Sequence, residues 1–284
     1  MRYGLQSGTR TRFFLWSVEL VAMVICTVFF LVPFYFIIVN SFKTSSEAAQ
    51  FSMSWPKEFR MIENFVEVFT VRDHMLLLAY YNSTIITLFS ILILIFVCSL
   101  TGFVMQRRRG KGPLVIQFLI LAGLMVPPAI VPTIWVLDSL GLFKTMPGII
   151  LVMAALNIPF TTILYSGFIS TIPREIDEAA VIDGCGSWRL YFHIIFPLLK
   201  PIHSTVIILS SVLVFNDFVH PLYFFPGAEN VTVQLTLYNF MSMYRTEWNL
   251  LFANVLLVTI PPMILFLFFN RKIVDGMMAG SIKG

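Results

Sequence analysis

The sequence predicts an all-α polytopic membrane protein with six transmembrane helices and a helical loop on the cytoplasmic side. Three observations predict it. Of the 284 residues, 58% are hydrophobic and 12% charged, with mean hydropathy +0.85, whereas a soluble domain carries about twice that share of charge. Six apolar runs approach or exceed the roughly 20 residues that a helix needs to cross the hydrocarbon core. The basic residues, finally, gather on alternate loops, as they do in chains sorted across a bilayer. The net charge of +4 is better explained by that sorting than by nucleic acid. Cys26, Cys98 and Cys185 suggest no disulfide framework, and no Cys or His pair has metal-ligand spacing.

The first span is predicted from about Phe13 to Val39. It is too long and uninterrupted for a signal peptide, and no small-residue cleavage site follows, so it is expected to be retained. The outer segment Thr44 to Leu77 mixes both charge signs with Trp55, Phe59, Phe65 and Phe69, which suits a small ordered cap. The remaining spans are expected at about Asn82–Met105, Leu114–Leu137, Pro147–Ile169, Leu198–Phe215 and Leu250–Phe269. Pro127–Pro128 and Pro261–Pro262 fall inside spans, free backbone carbonyls and should kink those helices. The chain thus divides into an N-terminal part (1–76), a core of five spans (77–270) holding a loop at 171–200, and a tail (271–284).

Orientation follows from the charges. Arg2, Arg10 and Arg12 precede the first span, and Arg107, Arg108, Arg109 and Lys111 lie between the second and third. Arg174, Arg189 and Lys200 lie between the fourth and fifth, and Arg271, Lys272 and Lys283 follow the sixth. Thirteen of the 19 Lys and Arg are therefore on one side, which places both termini in the cytoplasm. The run Arg107–Arg109 reads as an ordinary stop-transfer signal.

The loop between the fourth and fifth spans is the informative stretch. Pro173 suits a helix start, and Glu175, Asp177 and Glu178 suit the positive end of the helix dipole. Gly184 can close that helix in a left-handed cap and Ser187 can start another. Two short helices with a glycine turn are expected. Ile176, Ala179, Ala180 and Asp183 share a face at i, i+3, i+4, i+7. The alanines allow close approach, and Glu178 and Asp183 offer carboxylates to a basic partner. A helix lying on lipid would instead carry a basic polar face.

Glu178-Ala179-Ala180, Gly184, Ile194 and Phe196-Pro197 together resemble the EAA loop of binding-protein-dependent ABC importer permeases, with Phe196 where that pattern usually has Leu. The resemblance implies a coupling helix docked in a cytoplasmic ATPase subunit. Glu178 would be its polar anchor, Ala179 and Ala180 its tight-packing surface and Gly184 its turn. The residues assigned to ATPase coupling are therefore Glu178, Ala179, Ala180, Asp183, Gly184, Ile194 and Pro197. The segment Phe215-Asn216-Asp217-Phe218-Val219-His220-Pro221-Leu222 is similar to one in permeases for oligosaccharides, with Phe215 and His220 standing where tryptophans are usual. The tail from Asn270 to Gly284 resembles that of the maltose-type second permease subunit, where it can reach toward the ATPase; a frayed terminus is the alternative. What the resemblance implies is a permease of an ATP-driven carbohydrate importer in a bacterial or archaeal cytoplasmic membrane. Its partners would be a homologous permease, an ATPase dimer and an external solute-binding protein.

Asn157 and Thr161 in the fourth span, with Asn216 and Asp217 after the fifth, are candidates for the translocation pathway, because polar groups within spans need a reason. Interhelical hydrogen bonds are the alternative. Trp135, Tyr165, Tyr238 and Trp248 are candidate sugar-stacking contacts, or interfacial anchors. The sequence contains no G-x-x-x-x-G-K-[ST] phosphate cradle, Gly110-Lys-Gly-Pro departing from it after Lys111. No cofactor is expected on this chain, and ATP with Mg would sit on the partner ATPase. Two rivals remain: an ion-coupled carrier, which needs mid-span acids and an internal repeat, and a scaffold that only anchors an ATPase. The same transporter with another small solute as cargo is a third alternative.

Overall fold

The computed structural model of the chain describes the backbone of residues 9–241 and 246–281. Arg2, Arg245, Lys283 and the end of the tail lie outside the described residues. In chain order the helices are α1 (Thr9–Ser41), α2 (Ser45–Ala48), α3 (Met61–Arg107), α4 (Lys111–Met125), α5 (Ile130–Ser139), α6 (Met146–Ile169), α7 (Glu175–Ile182) and α8 (Ser187–Arg189). A π-helical turn (Leu190–Ile195) leads into α9 (Phe196–Leu198), α10 (Lys200–Phe215) and α11 (Val219–Phe224). A 3₁₀ segment (Val233–Phe240) and α12 (Trp248–Ser281) complete the described chain.

The fold is all-helical. Among the described residues, three helical stretches are long and apolar enough to cross a membrane: Trp16–Ser41, Met61–Arg107 and Met146–Ile169. A fourth crossing results if Ser187–Leu198 and Lys200–Phe215, bent by 70° at Leu199, act as one. α4, α5 and the stretch Trp248–Ile264 are apolar but shorter.

Three expectations need correction. The third span is two helices: α4 ends where Val126 turns extended (ψ 119°), and α5 begins after Ala129 (ψ 102°). Pro127 and Pro128 lack the N–H groups that would continue α4, and each biases its predecessor toward extended backbone. Pro261 and Pro262, by contrast, lie within the unbroken helix α12, so a proline pair alone does not decide the outcome. The helix that holds the second span reaches further than expected: α3 already begins at Met61, with a non-helical break at Val71–His74 that separates its first part from the rest. Helical backbone also continues past the sixth span to Ser281, rather than ending near Phe269.

The chain forms two compact units, one of residues 1–68 with Phe240–Leu257, the other of Phe69–Asn239 with residues 258–284. In the first, α1 is exposed from Trp16 to Phe34 and becomes buried at Val39, Asn40 and Ser41. Lys43 just beyond is 1% exposed. Its ammonium donates to Asn40 Oδ1 (3.1 Å), Ser52 O (2.7 Å) and Ser52 Oγ (3.0 Å), which meets the rule that a buried charge needs partners. Burial lowers the Lys43 pKa, with nearby Glu47 acting weakly the other way. Asn64 ties the same turn by donating from Nδ2 to Ser41 O and Lys43 O, and its Oδ1 accepts from Asn249 Nδ2. This ordered cap occupies the expected place but is shorter, ending where α3 begins.

The second unit holds two main apolar clusters. One joins α3, α6, the loop helices and α10 through Leu94, Cys98, Tyr165, Ile169, Leu190, Tyr191, Ile195, Leu199 and Val206. α3 and α6 approach closely at Gly102, where a Cβ would stand 3.0 Å from Ser166 N and 3.1 Å from Tyr165 Cβ; small residues let membrane helices meet this way. The other cluster packs α5, α6 and α11 through Leu137, Ile149, Met153 and Phe224.

Candidate functional site

The loop after α6 folds as the local sequence predicts. Glu175, Asp177 and Glu178 occupy the first turn of α7. Gly184 follows at φ +80°, in the left-handed region that favours glycine. Gly184 N–H donates to Val181 O (3.0 Å) and Cys185 N–H to Ala180 O (2.9 Å), the paired bonds of a Schellman cap. Ser187 is the first residue of α8 rather than its cap, since Gly186 takes the cap position with no side-chain bond.

α7 rests on the first cluster through one side. Ala180 is 4% exposed and belongs to that cluster, with Ile176 packed against it. Ala180 therefore contacts this chain's own core, and the expected tight-packing surface for a partner is reduced to Ala179. The outer side of α7 presents Glu178, Ala179 and Asp183 together with Val181 and Ile182, of which Ile182 is 85% exposed. Sequence reading passed over Val181 and Ile182, although two adjacent apolar residues in a water-facing loop are the signal for such a surface.

A second missed feature is a basic latch. Arg107, at the end of α3, pairs through Nε with Asp177 Oδ2 at 2.5 Å and donates from Nη2 to Ile172 O at 3.1 Å. Arg174 Nη2 donates to Gln106 O (2.7 Å), and Gln106 Nε2 to Ser166 Oγ (2.8 Å). Arg107 is thus a tether for α7 as well as part of the basic run.

Beneath the loop lies a buried polar relay. Tyr191 OH and Ser99 Oγ are 2.6 Å apart. Tyr165 OH meets His203 Nδ1 at 2.7 Å, and His203 Nε2 meets Phe196 O at 3.1 Å. Because the Phe196 carbonyl can only accept, Nε2 carries the proton and Nδ1 accepts from Tyr165. Tyr165 is therefore a fully buried structural residue, not a sugar-stacking contact. Ile194 packs against the first cluster. Pro197 sits in the first turn of the short helix α9, exposed, and the Phe196 ring stacks on Phe96.

Away from the loop, a groove of about 580 Å³ lies beside the break between α4 and α5. Gly123, Met125, Pro127, Asn157, Asp217 and His220 are among the residues that line it. Asp217 Oδ1 accepts from His220 N–H (3.0 Å), and Oδ2 lies 2.5 Å from His220 Nδ1. Asp217 thereby caps the start of α11 while its carboxylate borders the groove. The structure brings Asn157 and Asp217 together there. Asn216 instead accepts from Gln234 Nε2 (3.0 Å), and Thr161, 2% exposed, points into the protein and does not line the groove. His220 was missed; its position three residues after an acid at a helix start is the signal for such a pair.

Residues 98–278 match the family described as binding-protein-dependent transport system inner membrane component. The melibiose/raffinose/stachyose import permease protein MelC of Bacillus subtilis is 33% identical over 270 residues, 93% of this chain and 95% of that one. The probable starch degradation products transport system permease protein AmyC of Thermoanaerobacterium thermosulfurigenes is 31% identical over 262 residues, 92% and 94% of the two chains. Among solved structures, a chain of a bacterial ABC transporter involved in import of the acidic polysaccharide alginate superposes with TM-score 0.79 at 20% identity, covering 93% of this chain and 98% of that one. At that identity the superposition speaks for the fold alone.

Proposed function

The chain belongs to the family of binding-protein-dependent transport system inner membrane components, as the permease of an ATP-driven importer, and from that premise we propose that its cargo is an oligosaccharide or related carbohydrate. The single observation that carries the cargo is that relatives named for melibiose, raffinose, stachyose and starch products align over nearly the whole chain. The segment Phe215–Leu222 supports the same reading. The chain is a multi-pass membrane protein that transports rather than catalyses. ATP and Mg are held by a separate ATPase dimer. A homologous permease completes the pathway, and an external binding protein delivers the sugar.

In this reading α4 and α5 act as one broken crossing and α12 as the sixth, with both termini cytoplasmic in a bacterial or archaeal inner membrane. α7 is the coupling helix. Glu178, Ala179, Asp183, Val181 and Ile182 face the ATPase, while Ala180 and Ile176 pass its movement into the cluster shared by α3, α6 and α10. Gly184, Ile194 and Pro197 shape the loop behind it. ATPase closure tilts α7, and the helices that share its core alternate between outward and inward openings. Asn157 and Asp217 border the path, and Asn216 supports its rim through Gln234.

The test is copurification and uptake with the whole importer. Glu178→Lys and Ile182→Asp change exposed side chains, so the permease should still insert and fold while the ATPase detaches and uptake fails. Normal pull-down and normal uptake in both variants would falsify the docking role. The sugar retained by the copurified binding protein identifies the cargo; an amino acid or phosphate there overturns the carbohydrate assignment.

A further inference from the structure

The groove beside the α4–α5 break is rich in hydrogen-bond acceptors. Pro127 and Pro128 have no N–H, so the carbonyls four residues earlier, on the groove-lining Gly123 and Leu124, receive no helical bond from them. Asn157 spends Nδ2 on Met153 O (2.8 Å), which leaves its Oδ1 free to accept. The Asp217 carboxylate has lone pairs beyond those used by His220. His220 Nε2 adds one further polar position. The lining includes no Lys or Arg. Unwound backbone at membrane depth is tolerated where it is covered by protein or lines a watery cavity, and here Met125 is 83% and Val126 66% exposed.

Such a surface suits a ligand that donates many hydrogen bonds and brings no negative charge. We propose that this groove is a cargo subsite for a neutral sugar residue, held by its hydroxyl donors, and that the Asp217 carboxylate discriminates against sugars bearing a carboxylate. The inference rests on the carbohydrate-importer reading above. Asp217 then acts as a specificity determinant, with His220 orienting it. A uronate in the groove would bring its charge to an acid with no Lys or Arg among the lining residues to offset it, whereas a hexose hydroxyl donates to the same oxygens.

The test places a reporter thiol in the groove. Leu213 lines it and is 54% exposed, one helical turn before Asp217. In the complete importer in nanodiscs, with Cys26, Cys98 and Cys185 replaced by Ala, Leu213→Cys is reacted with cationic and anionic methanethiosulfonates of matched size. A unit charge about 6 Å away should make the cationic reagent about three- to tenfold faster. Asp217→Asn keeps an oxygen for the His220 N–H and should bring the ratio close to one, while Asp217→Glu should retain the preference. Raffinose should slow labelling, and trigalacturonate should not. A ratio near one with Asp217 present, a ratio indifferent to Asn, or equal protection by trigalacturonate overturns the subsite. Copurified ATPase activity that responds to the binding protein serves as control in every variant. If that activity is intact and the thiol shows no charge preference, the subsite alone fails; if no ATPase assembles with the parent chain, the importer reading itself fails.

Discussion

Arg107→Ala should release α7 from its seat without unfolding the spans around it. The magnitude follows from the pair's environment. The Arg107 and Asp177 side chains are 11% and 16% exposed, so the contact lies between an exposed ion pair, worth about 0–1 kcal/mol, and a fully buried one, where loss of one partner costs about 3–5 kcal/mol. Loss of the second bond, from Nη2 to Ile172 O, adds about 1 kcal/mol. About 2–3 kcal/mol in total raises the open population of α7 by roughly thirty- to a hundred-and-sixtyfold.

Hydrogen exchange reads this directly. The N–H groups of Asp183, Gly184 and Cys185 are bonded to Ala179, Val181 and Ala180, and each exchanges only when the cap opens. In the purified importer the Ala variant should therefore exchange faster in the peptide covering 175–185 and unchanged in α6. Asp177→Asn keeps an acceptor but loses the charge, and should give a smaller acceleration. In a double-mutant cycle the two effects should fall short of additivity by more than about 0.5 kcal/mol. Exchange within twofold of the parent, or simple additivity, would show that the latch does not hold the helix.

Other perturbations test neighbouring parts of the structure. A Cβ at Gly184 meets no atom within 4 Å, so Gly184→Ala costs the left-handed backbone alone, about 1–2 kcal/mol, visible as loosened ATPase copurification with unchanged insertion. Gly102→Val drives side-chain atoms into the Ser166 and Tyr165 contact and should lower the melting temperature of the purified permease. Tyr165→Phe leaves His203 Nδ1 without its donor, at about 1–3 kcal/mol, and should do the same with a smaller shift. Lys43→Met removes the donor shared by Asn40 and Ser52, and should loosen the first unit in a proteolysis assay. Because burial lowers the Lys43 pKa, the unfolded chain holds more protons at alkaline pH. This residue's contribution to stability should accordingly rise as pH climbs from the lowered value toward the ordinary lysine range, and the Met variant should lose that dependence.

What the sequence made legible depended on the range of the interaction. The acidic first turn of α7, its glycine cap and the placement of α6 and α10 are set by residues within a few positions of one another, and these came out close to the expected bounds. Ala180 could not be assigned to the inner side of α7 from its spacing alone, because Ile176, Ala179, Ala180 and Asp183 form one stripe whichever way the helix is rolled. Only the cluster it enters, built from α3, α6 and α10, fixes the roll. Arg107 reads as one of three equivalent arginines until the fold brings Asp177, 70 positions later, against it. Thr161 and Asn157 look alike as polar residues on a span, four positions apart, yet Asn157 borders the groove while Thr161 is buried.

The two proline pairs carry the same lesson one step further. Each removes two N–H donors in succession and crowds the turn before it, yet α12 runs through Pro261–Pro262 while α4 stops before Pro127–Pro128. The local chemistry is equal, so the surroundings decide the outcome. At Pro127 the chain borders a groove with Asp217, His220 and Asn157 on its other walls, where water or a hydroxylated ligand can meet the freed carbonyls. Breaking α4 there costs little, because the backbone groups left over at the break border the groove rather than hydrocarbon. A broken helix beside a polar groove is therefore what a passage for a hydrogen-bonding solute requires, and replacing Pro127 and Pro128 with Leu should close it: α4 and α5 would join, and uptake should fall while the ATPase remains bound. Undiminished uptake in that double variant would show that the break is incidental to transport.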